Sequence, residues 1–239
     1  EYSDVNGRQS VSFGEEYQRA AFAALSQSDQ DAIWDMQDRW AMEGHPKTLQ
    51  GIIITNFVTP DNNARDSDVI FGVGSYLNHS CLPNVCSFIS APEGSESVQT
   101  ITAARDIKAG DELTRSYIDP LQTRSKRRSH LKIAHDIDCQ CELCSLEGYA
   151  QIESDANLSR FQEIDSEVEG LMKSGSVVAI ASALPQALEL IRLGVVETGA
   201  NPCLLPKALQ MAFLAACVSG KLELTRRLAY NMTATFVSD

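Results

Sequence analysis

No stretch of the 239-residue sequence approaches the ~20 consecutive apolar residues that a membrane helix needs, so no spanning segment is expected. The first residues, Glu1 to Ser10, are too polar for a secretory leader, and the mature chain is expected to be soluble and intracellular, in the nucleus, the cytoplasm or both. Bases are scarce. Twenty Lys and Arg against 32 Asp and Glu leave a net charge of −12, which argues against direct nucleic-acid reading and leaves a basic protein partner open. Apolar residues are not scarce: at 44% hydrophobic and 22% charged, the chain can bury a core, and its length allows one or two domains. No exact internal period is visible. Seven cysteines, three of them in Cys139-Gln140-Cys141-Glu142-Leu143-Cys144, read in a reducing cell interior as metal thiolates rather than disulfides.

Phe13, Tyr17, Ala20 and Ala24, then Ile33, Met36 and Trp40, recur at helical spacing and predict two helical pieces over 13–40. Ser26 to Asp29 supplies the break and a new N-cap, Gly44-His45-Pro46 ends the second piece, and Trp34 and Trp40 are expected to pack within it. The β-branched density of Gln50 to Phe57 predicts a buried strand, with Val69 to Phe71 pairing to it across a polar loop from Asp61 to Asp68. Val85 to Ser90 and Val98 to Ala104, joined by Ala91-Pro92-Glu93-Gly94-Ser95, read as an antiparallel hairpin. A third strand, Leu113 to Ile118, follows the turn Lys108-Ala109-Gly110-Asp111. Residues 121–135 carry Arg124, Lys126, Arg127, Arg128 and Lys132 without an acid, and predict a basic helix whose charges lie on a solvated face. His45, His130 and His135 receive no functional role. After Cys144 strand signals disappear. Leu158, Phe161, Ile164 and Val168 share one helical face, as do Ala187, Leu190 and Ile191. The runs Leu204 to Val218 and Leu222 to Phe236 around Gly220 predict a helical hairpin whose Ala208, Ala212, Ala215 and Ala216 permit close packing.

Three thiolates at i, i+2 and i+5 suit one side of a tetrahedral Zn²⁺, which wants a fourth ligand from elsewhere. Cys81, Cys86, Cys203, Cys217 and the histidines are all candidates, and reduced, unligated thiols near a surface turn are the alternative. Cys86, Cys203 and Cys217 lie in strand-like or helical runs, where a buried small hydrophobe is expected.

The polar cluster Asn78-His79-Ser80-Cys81-Leu82-Pro83-Asn84, followed by Gly110-Asp111-Glu112-Leu113-Thr114-Arg115-Ser116-Tyr117-Ile118-Asp119 and then by the cysteine cluster, resembles in this order the C-terminal half of a SET domain. The resemblance covers about residues 50–144 and is nearest the SET and MYND domain class and related fungal proteins. It implies an α+β fold of small antiparallel β-sheets with a knot-like chain crossing and a post-SET zinc loop, followed by an all-helical region like tetratricopeptide hairpins. It further implies a protein-lysine N-methyltransferase that uses S-adenosylmethionine, with a lysine-bearing protein or peptide, histones included, as substrate. By the same resemblance Asn78 and His79 stand in the family's cofactor-contacting Asn-His pair, Ser75 and Leu77 lie on the approach to it, and Asn56 stands beside the cofactor's amino acid end. Cys81 takes the place of the fourth zinc ligand beside Cys139, Cys141 and Cys144, and Tyr117 that of the catalytic tyrosine.

A tyrosine suits the chemistry independently. Methyl transfer from a sulfonium needs a neutral amine held in line with the methyl carbon, and a phenol oxygen can orient that amine. The amine must shed its proton from a pKa near ~10.4, which desolvation and a nearby positive charge both assist. Two positions depart from the family pattern. No Gly-x-Gly segment precedes residue 50, and Gly72-Val73-Gly74 is no substitute because it adjoins the Asn-His motif. Ile137 stands where an aromatic usually faces the cofactor or the lysine channel. The division expected is a helical insert at 1–49, the SET half at 50–119, the basic helix and zinc loop at 120–145, and the helical domain at 146–239, with the first SET strands absent. A non-catalytic, zinc-stabilised scaffold whose helical domain binds other proteins is the rival reading.

Overall fold

Polar side chains that cap short helices organise the N-terminal part of the chain in the computed structural model, which describes residues 15–58, 69–90 and 98–234. The chain divides into two compact units, Glu1–Leu77 with Ser87–Ile101, and Asn78–Cys86 with Thr102–Asp239. In the first unit, α1 (Glu15–Ala23), α2 (Gln27–Asp35) and α3 (Arg39–Met42) pack against α4 (Leu49–Asn56). Ser26 caps α2, its hydroxyl accepting from the Asp29 amide at 3.2 Å and donating to the Asp29 carboxylate at 2.6 Å. Phe13 lies outside the described residues. The expected second helical piece is two: Asp38, 2% exposed, caps α3 by accepting from the Trp40 and Ala41 amides, and this breaks the helix after Asp35. Trp34 stays 45% exposed, with its ring 6.4 Å from that of Phe22.

The strand expected over Gln50 to Phe57 is instead helix α4. Thr48 accepts from the Gly51 amide at 2.9 Å as its N-cap, and the Thr55 hydroxyl returns to the Gly51 carbonyl at 2.7 Å. A helix places Ile52 in the core, leaves Ile54 exposed and puts Asn56 against the buried side, an arrangement that outweighs the modest β preference of three isoleucines. Val69 does pair, but with Val58 just beyond α4, in a single antiparallel bridge. The polar loop at 61–68 lies outside the described residues. A 3₁₀ turn, Gly74–Tyr76, then leads to Leu77.

The segments β2 (Val85–Ser90) and β3 (Val98–Ala103) form where expected and pair, while the Ala91–Ser95 turn lies outside the described residues. In the second unit, β1 (Asn78–His79) pairs with β4 (Thr114–Arg115), and this pairing is parallel rather than antiparallel. The expected strand over Leu113 to Ile118 shortens to those two residues because Tyr117 turns its amide to a side chain. The 108–111 turn closes with the Asp111 amide donating to the Lys108 carbonyl, and Gly110 at φ 97° supplies the left-handed position.

The basic helix is α5 (Arg124–His135), and α6 (Gly148–Lys173), α7 (Val177–Ser182), α8 (Leu184–Thr198), α9 (Pro206–Val218) and α10 (Leu222–Ala234) follow. Leu158, Phe161, Ile164 and Val168 of α6 bury the expected face against Ala187, Leu190 and Leu193 of α8. Fully buried Ala212, Ala215 and Ala216 let α9 sit close to its neighbours, and Gly220 at φ 66° turns the chain into α10. Phe236 lies outside the described residues. No helix among the described residues is long and apolar enough to cross a membrane.

Two cysteine expectations fail. Cys86 and Cys203 are joined in a disulfide across 117 residues, because the Asn201 side chain donates to the Pro83 carbonyl and draws the loop before α9 onto the start of β2. Cys217 is exposed rather than buried. A Cβ at Gly51 would clash with the carboxylate of Asp38, whose oxygens already accept from the amides of Trp40, Ala41 and Thr48. Gly51→Ala is therefore expected to lower unfolding stability by about 2 kcal/mol, read as a lower urea midpoint by tryptophan fluorescence; an unchanged midpoint refutes the cap assignment.

Candidate functional site

Four sulfurs meet in the second unit. The Sγ atoms of Cys81, Cys139, Cys141 and Cys144 lie within 4.8 Å of one another, and Cys81 and Cys144 stand 3.6 Å apart. Cys139, Cys141 and Cys144 arrive on a tight turn in which the Cys144 and Ser145 amides donate to the Cys141 carbonyl. Cys81 comes from just beyond β1, where the Ser80 amide donates to the Arg115 carbonyl. A tetrahedral ion with thiolates at about 2.3 Å wants sulfurs about 3.8 Å apart, which this spacing approaches. Hydrogen bonds from Cys139 and its neighbours hold the Cys141 thiol far below the ordinary thiol range, and those around Cys144, chiefly from Cys139, bring it to about 6. The same bonds push Cys81 and Cys139 up. Four clustered sulfurs without a cation thus cannot all be thiolates, whereas a divalent ion removes that repulsion.

The basic helix contributes more than a solvated face. Arg127 is fully buried and donates to the Gln122 and Leu143 carbonyls, with Nη2 3.8 Å from the Cys144 sulfur. Its Nε is buried without a partner. Arg124 donates from Nε to the Cys144 carbonyl at 2.7 Å. A cationic side chain held out of water against the sulfurs fits an anionic metal–thiolate centre.

His79 links this cluster to Tyr117. Its Nδ1 accepts from the Tyr117 amide at 3.0 Å, so the neutral ring carries its proton on Nε2, 3.3 Å from the Cys81 sulfur. Burial lowers the His79 pKa to about 4, opposed by Cys141 and reinforced by His135, Arg115 and Arg127, so the ring is neutral at physiological pH. The Tyr117 ring lies 5.3 Å from that of His79 and 5.2 Å from that of His135, and the Arg115 guanidinium sits 4.4 Å from its centroid. Burial raises the Tyr117 pKa, partly opposed by Arg115. The phenol is therefore protonated near neutral pH and can donate or accept a hydrogen bond.

Each residue singled out in the sequence has a definite place. Asn78 is exposed, its amide donating to the Glu112 carboxylate at 2.6 Å, while His79 turns inward. Ile137 is half-buried and, with Tyr117, packs on the cluster formed by the cysteines, Ile118, Leu131 and Leu143. In the first unit, Leu77 is buried and the Ser75 hydroxyl donates to the Asn56 carbonyl at 2.8 Å. The Asn56 amide donates to the Gln37 and Ile52 carbonyls, each at 2.7 Å. Sequence reasoning passed over Arg115, Arg127 and His135. For Arg127 a signal existed, since it stands three residues after Arg124 and four before the core residue Leu131, on the inward face of α5.

Residues 10–118 match the family model of the SET domain, a span that begins well upstream of residue 50 and takes in the helices α1 to α4. The chain is 32% identical over 126 residues to a histone-lysine N-methyltransferase SET5 of Meyerozyma guilliermondii, covering 51% of this chain and 26% of that protein. It is 33% identical over 116 residues to a SET and MYND domain-containing protein of Dictyostelium discoideum, covering 48% of this chain and 29% of that protein. It is 38% identical over 87 residues to histone-lysine N-methyltransferase SMYD3 of Homo sapiens, covering 34% of this chain and 19% of that protein. The chain thus spans about a quarter of the length of the first curated relatives it matches.

Asn84 holds the strand ends on which the site is built. Its amide donates to the Glu112 carbonyl at 2.8 Å, its Oδ1 accepts from the Thr114 amide at 2.8 Å, and it is 7% exposed. Asn84→Ala is expected to cost about 1 kcal/mol of stability, because it leaves the partly buried Thr114 amide and Glu112 carbonyl without these partners. Differential scanning calorimetry reads this as a lower Tm, and an unshifted Tm contradicts it.

Proposed function

We propose, because this chain belongs through residues 10–118 to the SET-domain family, that it acts as a protein-lysine N-methyltransferase dependent on S-adenosylmethionine. Its substrates are lysines of proteins or peptides, histones among them, as the names of its relatives suggest. The observation that carries this reading is the half-buried Tyr117, hydrogen-bonded through its amide to the inward His79 of β1 and packed with Ile137 beside the four cysteines. S-adenosylmethionine supplies a methyl carbon activated on a sulfonium. Tyr117, kept protonated by burial, orients the amine with its hydroxyl. Arg115 over the tyrosine ring, with burial, disfavours an ammonium in that place and so favours the neutral nucleophile. Asn78, His79, Ser75, Leu77, Asn56, Tyr117 and Ile137 are proposed cofactor contacts. Ile137 offers an aliphatic wall there rather than an aromatic face.

Cys81, Cys139, Cys141 and Cys144 are proposed to hold a structural Zn²⁺, supported by their mutual spacing and by the buried Arg127 against them. The parallel pairing of β1 with β4 supports a knot-like crossing, and the α9–α10 hairpin supports a helical domain at 146–239 like tetratricopeptide hairpins, able to bind further proteins. The boundaries 1–49, 50–119 and 120–145 and action in the nucleus or cytoplasm complete the reading. One observation favours the scaffold alternative: both amide hydrogens of Asn56 are spent on backbone carbonyls, a structural use of a proposed cofactor contact.

Calorimetry with S-adenosylmethionine and transfer of a labelled methyl group to histones and lysine peptides decide between the two. The enzyme reading expects binding and transfer by this chain or by a version extended through any upstream coding sequence; neither in either protein leaves only the scaffold. Tyr117→Phe is expected to reduce transfer at least about tenfold with fold and metal content intact, and full activity removes Tyr117 from the mechanism. Cys141→Ser is expected to lower bound zinc and loosen residues 137–144, measured by metal analysis and hydrogen exchange; unchanged zinc content contradicts the ligand set.

A further inference from the structure

A guanidinium fully out of water requires an anion or a full set of acceptors. Arg127 has neither in the ordinary form. Its Nη1 and Nη2 reach the Gln122 and Leu143 carbonyls, its Nε has no partner, and among the described residues no carboxylate pairs with it. The group it does face is the Cys144 sulfur, 3.8 Å from Nη2. The sulfurs of Cys81, Cys139 and Cys141 all lie within 4.8 Å of the Cys144 sulfur. A divalent ion held by four thiolates carries a net double negative charge, and such a centre is the one anion that the described residues offer to this side chain. The rest of α5 is arranged around the same point. Arg124, one turn earlier on the same face, donates to the carbonyl of that same Cys144, while Arg128 is exposed and Lys126, also exposed, donates to the Gln162 side chain.

We infer that Arg127 is the built-in counter-cation of the four-cysteine centre, a positioning residue that makes the basic helix part of the metal site. The inference rests on the metal reading proposed above. Its hydrogen bond to the Cys144 thiolate withdraws charge from the sulfur, so the ligand is held in place and shielded from displacement, as outer partners of metal ligands commonly do. The basic run therefore has a divided use: Arg124 and Arg127 serve the centre, and the outward bases serve solubility or a partner. The helix and the zinc turn should then order together when metal binds.

Two variants separate charge from packing. Arg127→Met keeps the aliphatic bulk without the charge, and Arg127→Lys keeps the charge without the planar fork. Zinc transfer to a chromophoric chelator is measured for the full chain, with helix content followed by circular dichroism. Arg127→Met is expected to weaken zinc binding roughly 10–100-fold, with Arg127→Lys recovering most of the loss. In the cobalt(II)-loaded protein, the thiolate-to-metal charge-transfer band is expected to move to lower energy in Arg127→Met and less in Arg127→Lys. Equal zinc retention by Arg127→Met and the parent, or retention by Arg127→Met with loss in Arg127→Lys, identifies a packing role and overturns the inference while leaving the metal reading standing. Should Arg127→Met fail to fold, Arg127→Lys decides: near-parental retention and cobalt spectrum support the counter-charge, and metal loss as severe as that of Cys141→Ser overturns it. A parent protein that takes up neither zinc nor cobalt overturns both readings together.

Discussion

The second unit is organised by one constraint: four sulfurs, three of them buried, and a buried guanidinium must share one small space. Cys81 stands 63 residues before Cys144, yet the two sulfurs lie 3.6 Å apart. Thiols so close resist common ionisation, and the divergent acidities of Cys81 and Cys141 express that conflict. A bound cation would relieve it, and Arg127 already supplies one positive charge from the protein itself. Apolar neighbours keep the effective dielectric low, so each of these interactions is stronger than it would be at the surface.

His79 carries this constraint toward the proposed catalytic tyrosine. One imidazole nitrogen faces the Cys81 sulfur and the other accepts the Tyr117 amide, so a single neutral ring spans both groups. Burial keeps it neutral, and neutrality lets Nδ1 accept. A shift of Cys81 would therefore be felt at the backbone of Tyr117 through one rigid residue. Asn84 adds a second tie, since its carboxamide joins the segment after β1 to the segment that enters β4. The parallel pairing of two residues in each strand is too short to hold this geometry alone, and side-chain hydrogen bonds complete it.

Much of this was legible in the sequence, for reasons that differ by element. The faces of α6 and α8 and the small residues of α9 were readable because helical periodicity reports burial directly. The strands β2 and β3 were readable because β-branched runs bounded by turn residues have few other uses. Helix α4 was misread because three consecutive isoleucines favour a strand locally, while the deciding groups were the Thr48 cap and the buried Asp38 beside Gly51. The pairing of Cys86 with Cys203 was not legible, since it depends on Asn201 reaching the Pro83 carbonyl from 118 residues away.

Composition and motif order by themselves determined the class of chemistry: an acidic chain, three closely spaced thiols, an Asn-His pair and a tyrosine in a fixed succession. Residue type and local spacing are enough for that, because they limit which ligands and which protons a segment can offer. Only the tertiary structure decided which nitrogen of His79 bears its proton, and that Arg127 turns inward while Arg128 does not. Those outcomes turn on distances of a few ångströms between segments far apart in the chain, and on the loss of water around them, neither of which a linear pattern encodes.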